Sequence, residues 1–250
     1  MSGHSKWSTI KRKKAANDAR RGNAFTRLAR EIAMAAREGG GDPEANFGLR
    51  LAVDRARAAN MPKENIDRAV RRGTGEDKDA AAFEQVMYEG YATNGIALLT
   101  DVVTDNRNRT VAELRHILSR GGGNLAEAGS VAWQFKRVAY FALPAEGLDS
   151  DKVFEVAVEA GADDINVGED IEITAPVEAF KDVSDRLNAG GFHPTEAELR
   201  MQPTSTVELA PEKALQVMRI IEAIEELDDV QRVYSTLQVT DEAVALLETA

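Results

Sequence analysis

The opposition of charge between the two ends of this chain constrains its fold more than any other feature. Residues 1–75 hold 17 Lys and Arg against 8 Asp and Glu, a net +9, while residues 76–250 hold 14 against 34, a net −20. The two figures sum to the −11 of the whole chain. The first 30 residues alone carry nine bases and one acid, Asp18. Such a chain is built in at least two parts. A clustered cation takes a polyanion as its usual partner, because each phosphate contact releases counterions. The bland alternative is a solvated tail, but Trp7 and Ile10 are interleaved with the bases.

At 250 residues the chain has room for two or three domains, and 43% hydrophobic with 29% charged residues is the composition of an ordinary globular protein. There are no cysteines, which excludes disulfides, zinc-thiolate sites, iron–sulfur clusters and Cys nucleophiles. No run approaches the ~18 apolar residues of a membrane span, and no apolar core follows the N-terminal charges as it would in a secretory signal. The expectation is a cytoplasmic protein without a membrane partner.

Up to residue 75 the pattern is helical. Phe25, Leu28, Ala29, Ile32, Ala33 and Ala36 recur at 3.6-residue spacing, and Gly39-Gly40-Gly41 stops that helix. Asp42 and Pro43 read as the cap and first turn of a second helix with Leu49, Val53 and Ala56 on its apolar stripe. Asn60-Met61-Pro62 breaks it, and Ile66, Ala69 and Val70 mark a third helix closed by Gly73. The prediction is a three-helix bundle with Arg27, Arg30, Arg50, Arg57, Arg68, Arg71 and Arg72 on its outer faces. The charge changes sign in the polar linker at 74–79.

The remainder alternates strands and helices: strands at 84–92 and 95–104, a helix at 110–120, a β-like stretch at 131–143, a helix at 151–160, a hairpin over 165–174, a helix at 176–189, a strand near 206–209, a helix at 211–227 and a last strand at 230–239. Two α+β modules of split-βαβ, ferredoxin-like type account for this. The module begun at residue 84 lacks a helix and a strand that only the C-terminus can supply. The expected domains are therefore 1–75, a discontinuous middle domain of 80–135 plus 205–250, and an inserted domain of 136–204.

Two segments carry candidate chemistry. The first is the head, in which His4, Lys6, Trp7, Lys11, Arg12, Lys13, Lys14, Arg20 and Arg21 combine phosphate-binding charge with flat rings that can stack on bases. Arg27, Arg68, Arg71 and Arg72 of the bundle extend it. The second is Thr104-Asp105-Asn106-Arg107-Asn108-Arg109-Thr110, where a buried strand gives way to a helix. Arg107 and Arg109 at a helix start make an anion-binding geometry. The structural alternative is that Asp105 or Asn106 caps the helix and the arginines pair with acids of another domain. Catalysis finds little support. Asp101 and Asp105 have no third carboxylate at suggestive spacing, the three histidines are scattered, and the glycines at 121–123 lack the Lys-Ser/Thr of a phosphate-binding loop. No metal site, cofactor motif or small-molecule substrate is expected.

Several of these segments resemble the YebC/PmpR family. The resemblance rests on Ser2-Gly3-His4-Ser5-Lys6-Trp7 with Ile10-Lys11, residues 60–66 (Asn-Met-Pro-Lys-Glu-Asn-Ile), Tyr88-Glu89-Gly90-Tyr91, residues 104–110, Gly122-Gly123-Asn124-Leu125 and Gly129-Ser130-Val131. It implies a helical N-terminal domain, two α+β domains with the middle one discontinuous, and a cytoplasmic protein of the kind described as a "probable transcriptional regulatory protein" that binds DNA. It implies equally a ribosome-associated factor that binds ribosomal RNA and assists synthesis of proline-rich stretches, since relatives include a mitochondrial translational activator. Lys and Arg contact both polyanions by the same physics. A module that binds only proteins, through its acidic domains, is the remaining alternative.

Overall fold

The computed structural model of the chain describes residues 18–77 and 81–249. The N-terminal block holds α1 (Asp18–Gly39), α2 (Phe47–Ala58) and α3 (Lys63–Thr74). Ile32, Ala36, Leu49, Val53, Ala56, Met61, Ile66 and Ala69 close its core. Asn46, four residues later than expected, begins α2. Its Oδ1 accepts from Leu49 N at 3.1 Å, while its Nδ2 donates to the carbonyls of Ala35 (2.7 Å) and Gly40 (2.8 Å). Asp42 instead holds a turn, its Oδ1 accepting from Glu44 N. Gly73 does not close α3 either. It lies inside the helix, and the left-handed cap is Gly75 at φ 78°. Gly73 is there because α3 crosses α1 closely: a Cβ at 73 would stand 2.2 Å from the Ala33 carbonyl oxygen and 2.8 Å from Ala36 Cβ.

Two α+β domains follow. The chain runs through β1 (Glu84–Tyr91), β2 (Ala97–Thr104), α4 (Arg107–Arg120) and β3 (Asn124–Leu125). It continues through β4 (Phe135–Pro144), α5 (Ser150–Glu159), β5 (Asp164–Val167), β6 (Asp170–Ala175), α6 (Phe180–Ala189) and β7 (Glu196–Pro203). It ends with β8 (Val207–Glu208), α7 (Pro211–Glu225), β9 (Val230–Ser235), β10 (Leu237–Gln238) and α8 (Asp241–Thr249). The first sheet has the order β3-β1-β2-β9 and every neighbour is antiparallel. The middle domain is thus discontinuous, its fourth strand arriving more than 100 residues after its third. The β2–α4–β3 crossover steps over β1, which makes it a split βαβ unit. The second sheet has the order β5-β6-β4-β7, the ferredoxin-like arrangement of a βαββαβ chain.

Helices α4 and α7 cover one face of the first sheet, with Leu114, Leu118, Val217, Met218, Ile221 and Ile224 against Leu98, Val102 and Val233. The opposite face is shared. Ala97, Leu99 and Tyr234 meet Phe135 and Met201 of the second sheet, and Val103 meets Ala33 of α1 with Phe83. Phe47 of α2 also touches Phe180 of α6 edge-on, at 6.4 Å between centroids. All three blocks therefore touch one another. Elements of the α+β domains also differ from the periodicity reading. Helix α4 starts at Arg107, since Asn106 caps it by accepting from Arg109 N. Strand β7 escaped notice because Glu196, Glu198, Arg200 and Gln202 dilute its apolar alternation. Thr236 ends β9, its Oγ1 accepting from Ala97 N, and the chain then pairs parallel with β8.

Gly73→Ala forces apart α1 and α3. The expected cost is about 1–3 kcal/mol, read as a lowered melting temperature, whereas Gly75→Ala strains only an exposed cap. Equal melting points for Gly73→Ala and the wild type would show that the crossing relaxes freely.

Candidate nucleic-acid interface

Pairing of β2 with β9 places Asp229, the residue before β9, beside the 104–110 segment. Val103 N donates to the Asp229 carbonyl at 2.9 Å. The Asp229 side chain is buried, with a relative exposure of 3%. Arg30 Nη2 donates to its Oδ1 at 2.7 Å, and Arg109 Nη2 reaches both oxygens at 2.8 and 2.7 Å. The hydroxyls of Thr104 and Thr110 lie 2.9 and 2.6 Å from Oδ2. Burial pushes this carboxyl up, but the hydrogen bonds from Arg109, Thr110 and Thr104 and the charge of Arg30 outweigh it and hold the group below its ordinary range.

A second carboxylate works alongside. Asp105 accepts from Arg109 at 3.1 Å and from Arg72 at 3.2 Å. Burial raises its pKa and these two arginines lower it, with a net depression. Phe83 lies between the domains: the Arg72 guanidinium sits 3.5 Å from its ring centroid and that of Arg30 5.5 Å away, while its carbonyl accepts from Arg37. Arginines of α1 and α3 thereby hold the helical block on the middle domain.

The positions of the expected site residues follow. His4, Lys6, Trp7, Lys11, Arg12, Lys13 and Lys14 lie outside the described residues, and Arg20 and Arg21 fall in the first turn of α1. Arg68 and Arg71 are exposed on α3, on one helix face, and enter no ion pair among the described residues. Arg72 is turned inward. Arg27 is half-buried and feels the charges of Glu225 and Asp228, and burial lowers its pKa. Arg107 is exposed and pairs with Glu84. Arg109 belongs to the Asp229 cluster, so its charge is largely spent within the protein. Arg30, expected on an outer face, is buried because α1 lies against the middle domain. The Arg72–Asp105 contact ties the last turn of α3 to the segment that leads into α4.

Periodicity did not single out Arg115 and Arg120, which α4 leaves exposed and outside any ion pair among the described residues. Their signal was the local excess of arginine between 105 and 121. Asp101 and Asp105 do not converge on a metal. Asp101 accepts two contacts from Gln85 Nε2 at 2.9 and 3.1 Å, and Asp105 is taken up by arginines. Among the described residues no group of three His, Asp or Glu side chains is placed to hold a metal ion, and no helix is long and apolar enough to cross a membrane.

A helical block latched by arginines onto a split α+β domain that itself carries a ferredoxin-like insertion defines a three-part architecture. A conserved hypothetical protein from Aquifex aeolicus shares it: the crystal structure matches with a TM-score of 0.83 at 41% identity, over 90% of this chain and 93% of that one. Residues 5–76 match the TACO1/YebC protein N-terminal domain, and residues 83–237 the TACO1/YebC second and third domain. The chain belongs to the TACO1/YebC family. Its relatives include proteins named "probable transcriptional regulatory protein" from Acidithiobacillus ferrooxidans, 51% identical over 99% of each chain, and from Rubrobacter xylanophilus, 48% identical over 98% of each.

Removing Asp229 strands two arginines, one of them buried. Asp229→Ala is expected to cost roughly 3–5 kcal/mol, read as a lowered melting temperature. Because the Asp229 and Asp105 pKa values are depressed, their stabilisation is complete above the ordinary aspartate pKa of about 3.9 and is lost as pH falls below it. Asp229→Asn flattens that acid limb in a melting-temperature profile. An unaltered limb would assign acid unfolding to other carboxylates.

Proposed function

We propose that the protein is a non-enzymatic, nucleic-acid-binding regulator of gene expression. The observation that carries this reading is the division of its arginines into two sets. Arg30, Arg72 and Arg109 neutralise interior acids, whereas Arg68 and Arg71, followed across the boundary by Arg115 and Arg120, stay exposed without a carboxylate partner among the described residues. Those uncommitted charges add to the seven bases that the sequence carries in residues 1–21. A chain of net charge −11 that keeps one end cationic in this way suits a phosphate backbone. The names carried by its relatives point toward the regulation of transcription. Ribosomal RNA offers the same phosphates, and cross-linking followed by sequencing of the bound nucleic acid from cells separates the two.

The binding constant should fall steeply with salt. About four to six phosphate contacts give a slope of log K against log salt near −3 to −5. Deleting residues 1–21 removes seven bases and one acid, a net +6, and should flatten that slope while the α+β domains melt as before. Arg107→Ala isolates the second segment without touching Asp229 and should reduce the slope by about 1. A salt-independent affinity, or none, for both RNA and DNA would replace this reading with that of a protein-binding module.

A further inference from the structure

Three sequence motifs serve neither the arginine latch nor the basic face, and they meet at one place. Glu89 of β1 is buried, and its carboxylate accepts from three backbone N–H groups of one loop: Gly129 N at 2.7 Å, Val131 N at 2.6 Å and Ala132 N at 2.9 Å. Burial pushes this carboxyl up, and the three backbone N–H groups pull it below its usual range. Tyr91 Oη donates to the Ser130 carbonyl at 3.1 Å. Gly123 lets β3 close on β1, since a Cβ there would stand 2.2 Å from the Tyr91 carbonyl oxygen. Ala126 N donates to the Glu89 carbonyl at 2.8 Å. The segment from Gly123 to Ala132 is thus fastened at both ends to β1.

This clamp presents Trp133. Its side chain is 73% exposed, the highest value among the exposed large hydrophobic residues described. The indole N–H is already used, donating to the Ser130 carbonyl at 3.0 Å. The ring is therefore oriented from within while most of its surface stays open to water. An exposed indole costs solvation, and a buried carboxylate needs all three backbone donors to be tolerated. A loop that needed only to connect β3 to β4 would require neither. The charge nearby is reversed relative to the rest of this half. Lys136 and Arg137 are exposed just beyond, against one acid, Glu127, in the loop itself. Arg137 also feels Asp101 across the domain junction.

We infer that Trp133 is a pre-oriented stacking platform for an unpaired base of a single-stranded nucleic acid, with Lys136 and Arg137 taking the adjoining phosphates and Glu89 as the positioning residue. The inference rests on the nucleic-acid reading above and specifies its form. A flat ring whose polar edge is satisfied binds a base through its π face, without regard to sequence, and a base inside a duplex is not available to it. A contact at the basic head and one at this ring would act on one strand as separate anchors.

The test uses the full chain with Trp7→Phe, which leaves Trp133 as its single indole, since the sequence holds two tryptophans. Titration with a single-stranded oligouridylate should quench the indole emission saturably. In the otherwise wild-type chain, Trp133→Ala should lower affinity for that strand roughly tenfold, leave affinity for a DNA duplex of equal length unchanged, and leave the salt slope in place. Trp133→Phe should restore much of the loss. Glu89→Gln keeps the ring but loosens the clamp, and should lower single-strand affinity together with the near-ultraviolet dichroism of the indole. Equal single-strand affinity for Trp133→Ala and wild type, with the salt slope intact, overturns the platform and leaves the nucleic-acid reading standing. Absence of salt-dependent binding by the wild type overturns both. Quenching of equal size by duplex and single strand overturns stacking as its cause.

Discussion

Asp229 is the constraint on which the arrangement of the molecule depends. A buried carboxylate is costly unless its charge is matched and its lone pairs are filled. Here Arg30 from the helical block, Arg109 from the first turn of α4 and the hydroxyls of Thr104 and Thr110 do both. None of these groups could be left behind cheaply, because each would strand the others in a low-dielectric seam. The cluster therefore acts on orientation as much as on stability. It sets α1 against the middle domain, and through Asp105 and Arg72 it fixes α3 as well.

That arrangement sorts the basic residues. Arginines that face the seam serve the fold, and those that face away keep their charge for a partner. Arg68 and Arg72 stand one helical turn apart on α3 and fall on opposite sides of this division. The middle domain supports the sorting by being split. Its central strand β2 pairs on one side with β1 and on the other with β9, and the latter brings Asp229 to the mouth of the motif at 104–110. The same sheet carries the Glu89 clamp on β1, so carboxylates on either side of β2 each organise a loop.

Much of the fold was legible along the chain because its signals are local. The apolar spacing of Phe25 to Ala36, the breaks at Gly39–Gly41 and Asn60–Pro62, and the continuous apolar run of β2 come from neighbours in sequence. The need for a fourth strand and a second helix even exposed the discontinuity of the middle domain. The misplacements come from contacts between elements. Asn46 rather than Asp42 starts α2 because its amide satisfies carbonyls of α1, a contact no periodicity records. Gly73 looked like a stop and is a close crossing. Strand β7 alternates charged with weakly apolar residues, and its pairing with β4 outweighs its propensity.

By itself, the sequence determined the helical block, the two α+β modules, the segregation of charge and the motifs that identify the family, since composition and short-range periodicity set all of these. Only the tertiary structure decided what each charge is for. Thr104 and Asp229 lie 125 residues apart, and Arg30 and Asp229 lie 199 apart. An arginine reads the same along the chain whether it meets a phosphate or a buried aspartate. Its partner exists only once the sheet has closed and the helices have docked, and that is why Arg109 looked like an open anion site and is a clasp between domains.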